Sequence, residues 1–162
     1  MSNQHLGERI YMGPLDDNRK VFIDTNILIY ASLKESPFHR VSRKCLNDLQ
    51  KQDVVLVISR QVLREYLSVM TRPDTITIEL QQEIIIQAIR NFEEDFTVLN
   101  EDAEVTTKLL ELTEKVSVSG KQIHDANIAA TMLVNGVTEI ATHNVADFKR
   151  FVPEITIIPL VK

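Results

Sequence analysis

From Lys20 onward, short apolar runs rich in β-branched residues alternate with longer amphipathic segments, and this alternation limits the possible folds. The runs at residues 21–23 and 53–58 are continuously apolar, as expected for strands that are covered on both faces. Strands that are separated by helices usually pair in parallel, with helices on both sides of the sheet. The sequence therefore predicts an α/β fold, a three-layer α/β/α sandwich around a mostly parallel sheet of about five strands.

The pattern also predicts where the individual elements begin and end. We expect strands at about residues 21–23, 53–58, 96–99, 139–142 and 155–158, and helices at about 27–31, 37–50, 60–70, 78–94, 101–116 and 122–134. Pro37 suits the first position of its helix, and Ser59 and Asn100 are the expected N-caps of theirs. Asn135-Gly136 is a suitable C-terminal stop.

The chain is expected to contain one domain. Residues 1–19 show no periodicity and predict an N-terminal extension, mobile in part, before a domain over residues 20–162. The single cysteine, Cys45, excludes an internal disulfide and a zinc site built on cysteines. No apolar run approaches the roughly 20 residues of a membrane span, and the polar N-terminus carries no secretory signal. We therefore expect a cytoplasmic protein.

Charge and motifs exclude several classes of function. The formal net charge of −5 argues against a protein that coats nucleic acid nonspecifically, because such proteins are usually basic. The chain has no P-loop, no dinucleotide glycine fingerprint and no Gly-x-Ser-x-Gly elbow. Its four histidines lack metal-ligand spacing. An acidic enzyme whose carboxylates bind divalent cations stays compatible with all of these features.

Two acidic residues have both a functional and a structural explanation. Asp24 follows the first buried strand, so its carboxylate should emerge at the carboxyl edge of the sheet, where α/β proteins bind ligands. It would otherwise N-cap the short helix that follows. Glu65 lies at the border of the apolar face of its helix. It would otherwise reach to solvent or pair with Arg64 or Arg72.

Asp125 is the most informative acidic residue. Its helix is apolar nearly all round, and an unpaired charge buried there would cost several kcal/mol. An ion pair with Lys121, one turn earlier, is the ordinary explanation, and a bound metal ion is the functional one. His124 is expected to pack or to support the site, and not to bind a metal.

The loop after the fourth strand supplies a fourth candidate. Asn144 and Asp147 follow Thr142, whose hydroxyl can orient the loop. We favour Asp147 as the acidic group, with Asn144 in support, because only a carboxylate adds negative charge. The alternative is that Asp147 caps a helical turn over residues 147–151, which leaves Asn144 as the nearer group.

Together these residues predict a metal site. Carboxylates from separate strand–helix units meet at one edge of the sheet and repel one another unless cations neutralise them. Oxygen ligands suit Mg²⁺ or Mn²⁺, which can hold a phosphodiester and activate water. The expected catalytic residues and metal ligands are Asp24, Glu65, Asp125 and Asp147, with Asn144 as a further ligand.

Four motifs, in order, resemble those of the PIN-domain family and, within it, the VapC-like toxins of bacterial and archaeal toxin–antitoxin pairs. They are Val21-Phe22-Ile23-Asp24-Thr25-Asn26-Ile27-Leu28, Ser59-x-x-Val62-x-x-Glu65, Lys121-x-x-His124-Asp125-Ala126-x-Ile128-Ala129 and Thr142-His143-Asn144-x-x-Asp147-Phe148. The resemblance covers about residues 20–161, and the family pattern has no counterpart of residues 1–19.

The resemblance implies an endoribonuclease that uses Mg²⁺ or Mn²⁺ to cleave single-stranded RNA, often as a homodimer, and that is restrained by a cognate antitoxin. A housekeeping RNA-processing nuclease without an antitoxin and a non-catalytic RNA-binding PIN domain are the alternatives. A haloacid-dehalogenase-type phosphatase is disfavoured, because Asn26 stands where its second aspartate belongs. Basic residues near the motifs are expected to hold RNA, namely Arg60, Arg64, Lys121, His143 and Lys149.

Overall fold

A computed structural model describes residues 18–73 and 82–162. It confirms the α/β/α fold, with helices around a five-stranded sheet whose paired strands are all parallel. The elements in chain order are β1 (Lys20–Ile23), α1 (Thr25–Ser32), α2 (His39–Lys51), β2 (Val55–Ser59), α3 (Arg60–Met70), α4 (Gln82–Asp95), β3 (Thr97–Leu99), α5 (Ala103–Lys115), α6 (Gln122–Val134), β4 (Glu139–Thr142), α7 (Val145–Phe148) and β5 (Thr156–Pro159). A 3₁₀ turn, Lys149–Phe151, connects α7 to β5.

The strand order is β3-β2-β1-β4-β5, so β1 lies at the centre of the sheet. Phe22 pairs with Val57 of β2 on one side and with Ile140 of β4 on the other. Strands β2 and β3 lie on one side of β1, and β4 and β5 lie on the other. The connections that leave β1 and β4 therefore run in opposite directions from the gap between these two strands. In open parallel sheets such a point leaves a crevice at the carboxyl ends of the strands. Asp24 lies at this point, and its N–H donates to the Ala141 carbonyl at 3.0 Å.

The core forms on both faces of the central strands, as their continuous apolar sequences predict. Val21, Phe22 and Ile23 of β1 have no exposed surface, and neither do Val57 and Ile58 of β2. Truncation of so large a buried side chain as Phe22 to alanine typically costs about 3–5 kcal/mol. The central strands therefore give the residues that follow them a rigid base.

Two predicted helix starts are wrong. Helix α2 begins at His39, and Pro37 lies in the turn before it, where the ring of Phe38 packs on Tyr30 with centroids 5.0 Å apart. The start of α2 is therefore set by this packing and not by a proline at the first helical position.

The N-cap of α5 is Asp102, whose carboxylate accepts hydrogen bonds from the N–H groups of Glu104 and Val105 at 3.1 and 3.2 Å. The predicted cap, Asn100, instead accepts a hydrogen bond from Arg60 Nε at 3.3 Å.

Other predicted boundaries are confirmed. Ser59 caps α3 by accepting a hydrogen bond from the Val62 N–H at 3.4 Å. Helix α6 ends at Asn135-Gly136, where the glycine has a φ of 68°, which is strained for residues with a side chain. The predicted start of the helix at residue 78 lies outside the described residues.

Of the predicted extension, only residues 18 and 19 are described; its predicted mobility concerns residues outside the described ranges. Arg19 donates from Nε and Nη2 to Glu139 at 2.8 and 2.7 Å and contacts Gln52 at 3.2 Å. These contacts fasten the chain to β4 directly before β1. Within the described ranges, no helix has both the length and the apolar character to cross a bilayer.

Candidate functional site

A cavity of about 290 Å³ opens at the carboxyl edge of the sheet between β1, α3, α6 and the loop after β4. It brings together four of the five residues that the sequence singled out, Asp24, Glu65, Asp125 and Asn144. The remaining lining residues are Thr25, Asn26, Ile29, Ser68, Val69 and Arg72. We call this space the acidic cavity.

Asp24 is buried at the base of the acidic cavity, with 7% of its surface exposed. Its Oδ1 accepts from the Thr25 N–H at 2.8 Å, and its Oδ2 accepts from Asn26 Nδ2 at 2.8 Å and Thr142 Oγ1 at 2.6 Å. Asp24 therefore caps α1 and lines the cavity at once, so the two explanations of this residue are compatible. Thr142 Oγ1 also accepts from the Asn144 N–H at 2.9 Å, as expected for a residue that orients the loop.

Glu65 is held by two neutral donors. Its Oε2 accepts from Thr25 Oγ1 and its Oε1 from Gln61 Nε2, both at 2.7 Å. The alternative of an ion pair with a nearby arginine is not seen among the described residues, where Arg64 pairs with Glu101 at 3.1 Å. The hydrogen bonds therefore hold the Glu65 carboxylate in place at the cavity that Asp24 also lines.

Gln61 connects the helices that carry Glu65 and Asp125. Its side chain is buried, and its Nε2 donates to both Glu65 and the His124 carbonyl, the latter at 3.0 Å. Its Oε1 accepts from Asn127 Nδ2 at 2.8 Å. Gln61 and Asn127 were not predicted as site residues, although a glutamine one turn before a glutamate on a helix is a usable signal. His124 supports the site through its backbone carbonyl.

Among the described residues, the Asp125 carboxylate has no direct hydrogen-bond or ion-pair partner, and the charge of Arg150 only partly offsets its negative surroundings. The expected ion pair with Lys121 therefore does not form. The pKa of Asp125 is raised to about 6, chiefly by burial and then by the negative charges of Asp147, Asp24 and Glu65, while the positive charge of Arg150 lowers it. A carboxylate in this position favours any cation that enters the cavity.

The pKa of Asp24 is also raised to about 6, chiefly by burial. The hydrogen bonds from Thr142, the Thr25 N–H and Asn26 oppose this effect, while the charge of Glu65 adds to it. Above about pH 6 both aspartates are therefore mostly ionised and repel each other and Glu65.

Asp147 and Asn144 take different positions. Asn144 is exposed and lines the acidic cavity, whereas Asp147 lies within α7 and influences Asp125 by its charge. The alternative that Asp147 caps a helix is wrong. Asn144 occupies the N-cap position of α7, and its carbonyl accepts from the Asp147 N–H at 3.1 Å.

Some of the basic residues near the site already contact other side chains and are less free to bind a phosphate. Arg60 forms an ion pair with Glu93, and His143 packs against Phe38 with ring centroids 4.3 Å apart. Arg72 lines the acidic cavity and forms no ion pair within residues 18–73 and 82–162. From the sequence, Arg72 was expected only as a possible partner of Glu65, and its place in the cavity wall was not predicted.

The donor set of the acidic cavity is suited to Mg²⁺ or Mn²⁺, because it offers carboxylate and amide oxygens without sulfur or imidazole. Among the residues that the structure describes, no three histidine, cysteine, aspartate or glutamate side chains converge closely enough to enclose an ion. An open set of carboxylates of this kind is still compatible with Mg²⁺ binding. Mg²⁺ usually keeps several waters and is held by one or two carboxylates together with substrate phosphates.

Comparison with known proteins agrees with this architecture. The family model described as PIN domain matches residues 21–152. Ribonuclease VapC24 of Mycobacterium tuberculosis is 28% identical over 130 residues, which is 80% of this chain and 89% of that protein. Ribonuclease VapC48 of the same species is 24% identical over 130 residues, with 79% and 89% coverage.

Among solved structures, a chain of VapBC2 from Rickettsia felis, bound to a promoter DNA fragment, aligns with a TM-score of 0.64. The two chains are 21% identical, and the alignment covers 86% of this chain and 98% of that one. At this identity the comparison establishes similarity of fold.

Proposed function

The chain belongs to the PIN-domain family, and from that premise we propose that it is an endoribonuclease that depends on Mg²⁺ or Mn²⁺. The observation that carries the proposal is the acidic cavity, where Asp24, Glu65 and Asp125 arrive from three separate elements and none of them forms an ion pair with a described residue. Relatives named as ribonucleases support the type of reaction.

We propose Asp24, Glu65 and Asp125 as metal ligands, directly or through water, with Asp147 in the fourth position and Asn144 in support. When bound, the ion would hold the phosphodiester and stabilise the charge that develops during hydrolysis. The raised pKa values of Asp24 and Asp125 support this assignment, because repulsion between ionised carboxylates is relieved when a cation binds.

The surrounding residues keep the carboxylates in place. Thr142 and Asn26 fix the Oδ2 atom of Asp24, and Thr25 and Gln61 each fix one oxygen of Glu65. Fixed donors of this kind reduce the reorganisation that substrate binding requires.

Two arginines near the cavity, Arg72 and Arg60, differ in whether they are free to contact the substrate. Arg72 is the arginine placed to contact a phosphate in the acidic cavity. Arg60, which the sequence analysis expected to hold RNA, already pairs with Glu93.

We further propose that the enzyme is the toxin of a toxin–antitoxin pair, acts on single-stranded RNA in the cytoplasm as a homodimer, and is restrained by an antitoxin protein. Fold neighbours that were solved as VapBC complexes support the antitoxin. A toxin from Mycobacterium tuberculosis, VapC20, is described as cleaving the sarcin-ricin loop, which supports an RNA substrate. A small antitoxin-like gene beside this one would distinguish the toxin from a housekeeping nuclease.

The test is cleavage of an end-labelled single-stranded RNA with Mg²⁺, with Mn²⁺ and with EDTA. We expect cleavage with either ion, none with EDTA, and loss of most activity in Asp125→Asn. Asp53→Asn removes the same charge at an exposed turn on the opposite edge of the sheet and should stay fully active. RNA binding without turnover in the wild-type protein would instead favour a non-catalytic RNA-binding domain.

A further inference from the structure

A second cavity lies beside the acidic cavity, and we propose that it binds the nucleotide next to the scissile phosphate of the RNA. This inference rests on the proposed function. The second cavity has a volume of about 440 Å³ and lies between α3, α5 and α6. Its walls include Arg64, Ser68, Leu109, Ile123, His124 and Asn127. We call it the flanking cavity.

The two cavities share a wall. Glu65 and Ser68, one turn apart on α3, line both of them. On α6, Asp125 lines the acidic cavity while its neighbour His124 lines the flanking cavity. An RNA strand whose phosphate lies in the acidic cavity can therefore place an adjacent nucleotide in the flanking cavity by crossing Ser68, which is exposed.

The apolar part of the flanking cavity is suited to the face of a base. Leu109 and Ile123 are both partly exposed and stand on different helices. Bases bind proteins through their faces with little dependence on sequence, chiefly on aromatic side chains and to a lesser extent on apolar ones. The volume lies within the range of small-ligand pockets, roughly 300–1,000 Å³, and admits a nucleotide.

The polar part offers an acceptor whose identity follows from the hydrogen-bond network. Gln61 contacts the Glu65 carboxylate and the His124 carbonyl with the same atom, which must therefore be its amide nitrogen. Its oxygen thus faces Asn127, so the Asn127 atom in that contact must be its nitrogen. Asn127 Oδ1 accepts no hydrogen bond from the described residues and stays available to an N–H group of a base.

Two basic side chains at this cavity can contact the backbone phosphates. The side chain of Arg64 is 63% exposed, and only its Nη2 atom contacts Glu101, which leaves Nε and Nη1 as donors. His124 is exposed at the same opening. The flanking cavity thus combines apolar walls with a partly free guanidinium and an exposed imidazole, beside the Glu65 carboxylate that it shares with the acidic cavity, and this combination favours a nucleotide over an uncharged ligand.

The test compares two substrates, a single-stranded oligoribonucleotide and bis(p-nitrophenyl) phosphate, which is too small to occupy both cavities. Leu109→Trp fills the flanking cavity, and Leu110→Trp is its matched control, because Leu110 is 59% exposed and lines neither cavity. His124→Ala removes an exposed ring and serves if Leu109→Trp does not fold. RNA binding in EDTA, measured by fluorescence anisotropy, gives a readout that does not need turnover.

We expect Leu109→Trp and His124→Ala to raise KM for RNA and weaken RNA binding by roughly tenfold, as for the loss of one base contact. Cleavage of the small phosphodiester should stay at the Leu110→Trp level. Equal effects of Leu109→Trp and Leu110→Trp on RNA, or equal losses on both substrates, would overturn the flanking cavity as a nucleotide site. A wild-type protein that cleaves neither substrate would overturn the proposed function itself.

Discussion

Replacement of Asp125 by asparagine should stabilise the metal-free protein while it removes activity. The pKa of Asp125 rises from 3.8 to about 6 on folding. A shift of this size makes the ionised folded protein less stable by up to about 3 kcal/mol. Because the side chain is partly exposed and water screens the repulsion, we expect a gain of about 1–2 kcal/mol from Asp125→Asn. No hydrogen bond to a described residue is lost.

The gain should depend on pH with a definite sign. A carboxyl whose folded pKa is raised contributes stability that is fully present below its unfolded pKa and is lost as the pH rises through its folded pKa. The wild-type protein therefore loses this contribution between about pH 4 and pH 7, whereas the asparagine variant has none to lose. The difference between the two proteins should be near zero at about pH 4 and largest at about pH 8.

Urea denaturation in EDTA at several pH values measures this difference. Asp53→Asn is the matched control, because Asp53 is exposed and lies at the opposite edge of the sheet. Addition of Mg²⁺ should then stabilise the wild-type protein more than Asp125→Asn. If Asp125→Asn gained no more stability at high pH than Asp53→Asn, the inference that the Asp125 charge destabilises the folded protein would be refuted.

Four further predictions concern the same site. Asp24→Asn should be less stable than Asp125→Asn by about 1–3 kcal/mol in urea denaturation, because both changes remove a carboxylate with a raised pKa, but only Asp24→Asn puts an amide nitrogen where donors around Asp24 need an acceptor. Gln61→Leu should lower kcat for RNA cleavage, because Glu65 loses a donor, while Gln87→Leu on the exposed face of α4 should have no effect. Asp147→Asn should raise the Mg²⁺ concentration for half-maximal cleavage and leave the melting temperature unchanged; an unchanged metal dependence would move the fourth position to Asn144. RNA binding should weaken with salt by a modest slope, and a slope that matches roughly eight to ten phosphate contacts would contradict the few available cations.

The fold and most of the acidic cavity follow from local features of the sequence. A continuous apolar run that ends in Asp24 predicts a buried central strand and a carboxylate at its carboxyl end. Similarly, Asp125 stands out because a charge in an apolar helix needs a partner. Helix α6 begins and ends at the predicted residues, since Asn135-Gly136 stops it without help from the rest of the protein.

What could not be predicted depends on contacts between distant segments. Asparagine and aspartate cap helices about equally well, so the choice of Asp102 over Asn100 reflects the contact between Asn100 and Arg60 on another helix. The hydrogen bond that Asn127 donates to Gln61 joins α6 to α3 across 66 residues of sequence. Only the packing of the two helices brings these amides together.

Binding of Mn²⁺ to the RNA-free protein tests the central claim, that the acidic cavity holds the ion used in cleavage. Isothermal titration at about pH 8, where the carboxylates of Asp24 and Asp125 are ionised, compares the wild-type protein with Asp125→Asn and Asp53→Asn. We predict that Asp125→Asn weakens Mn²⁺ binding by at least about tenfold, or roughly 1.4 kcal/mol, whereas Asp53→Asn binds like the wild type. Undiminished Mn²⁺ binding by Asp125→Asn would contradict the account.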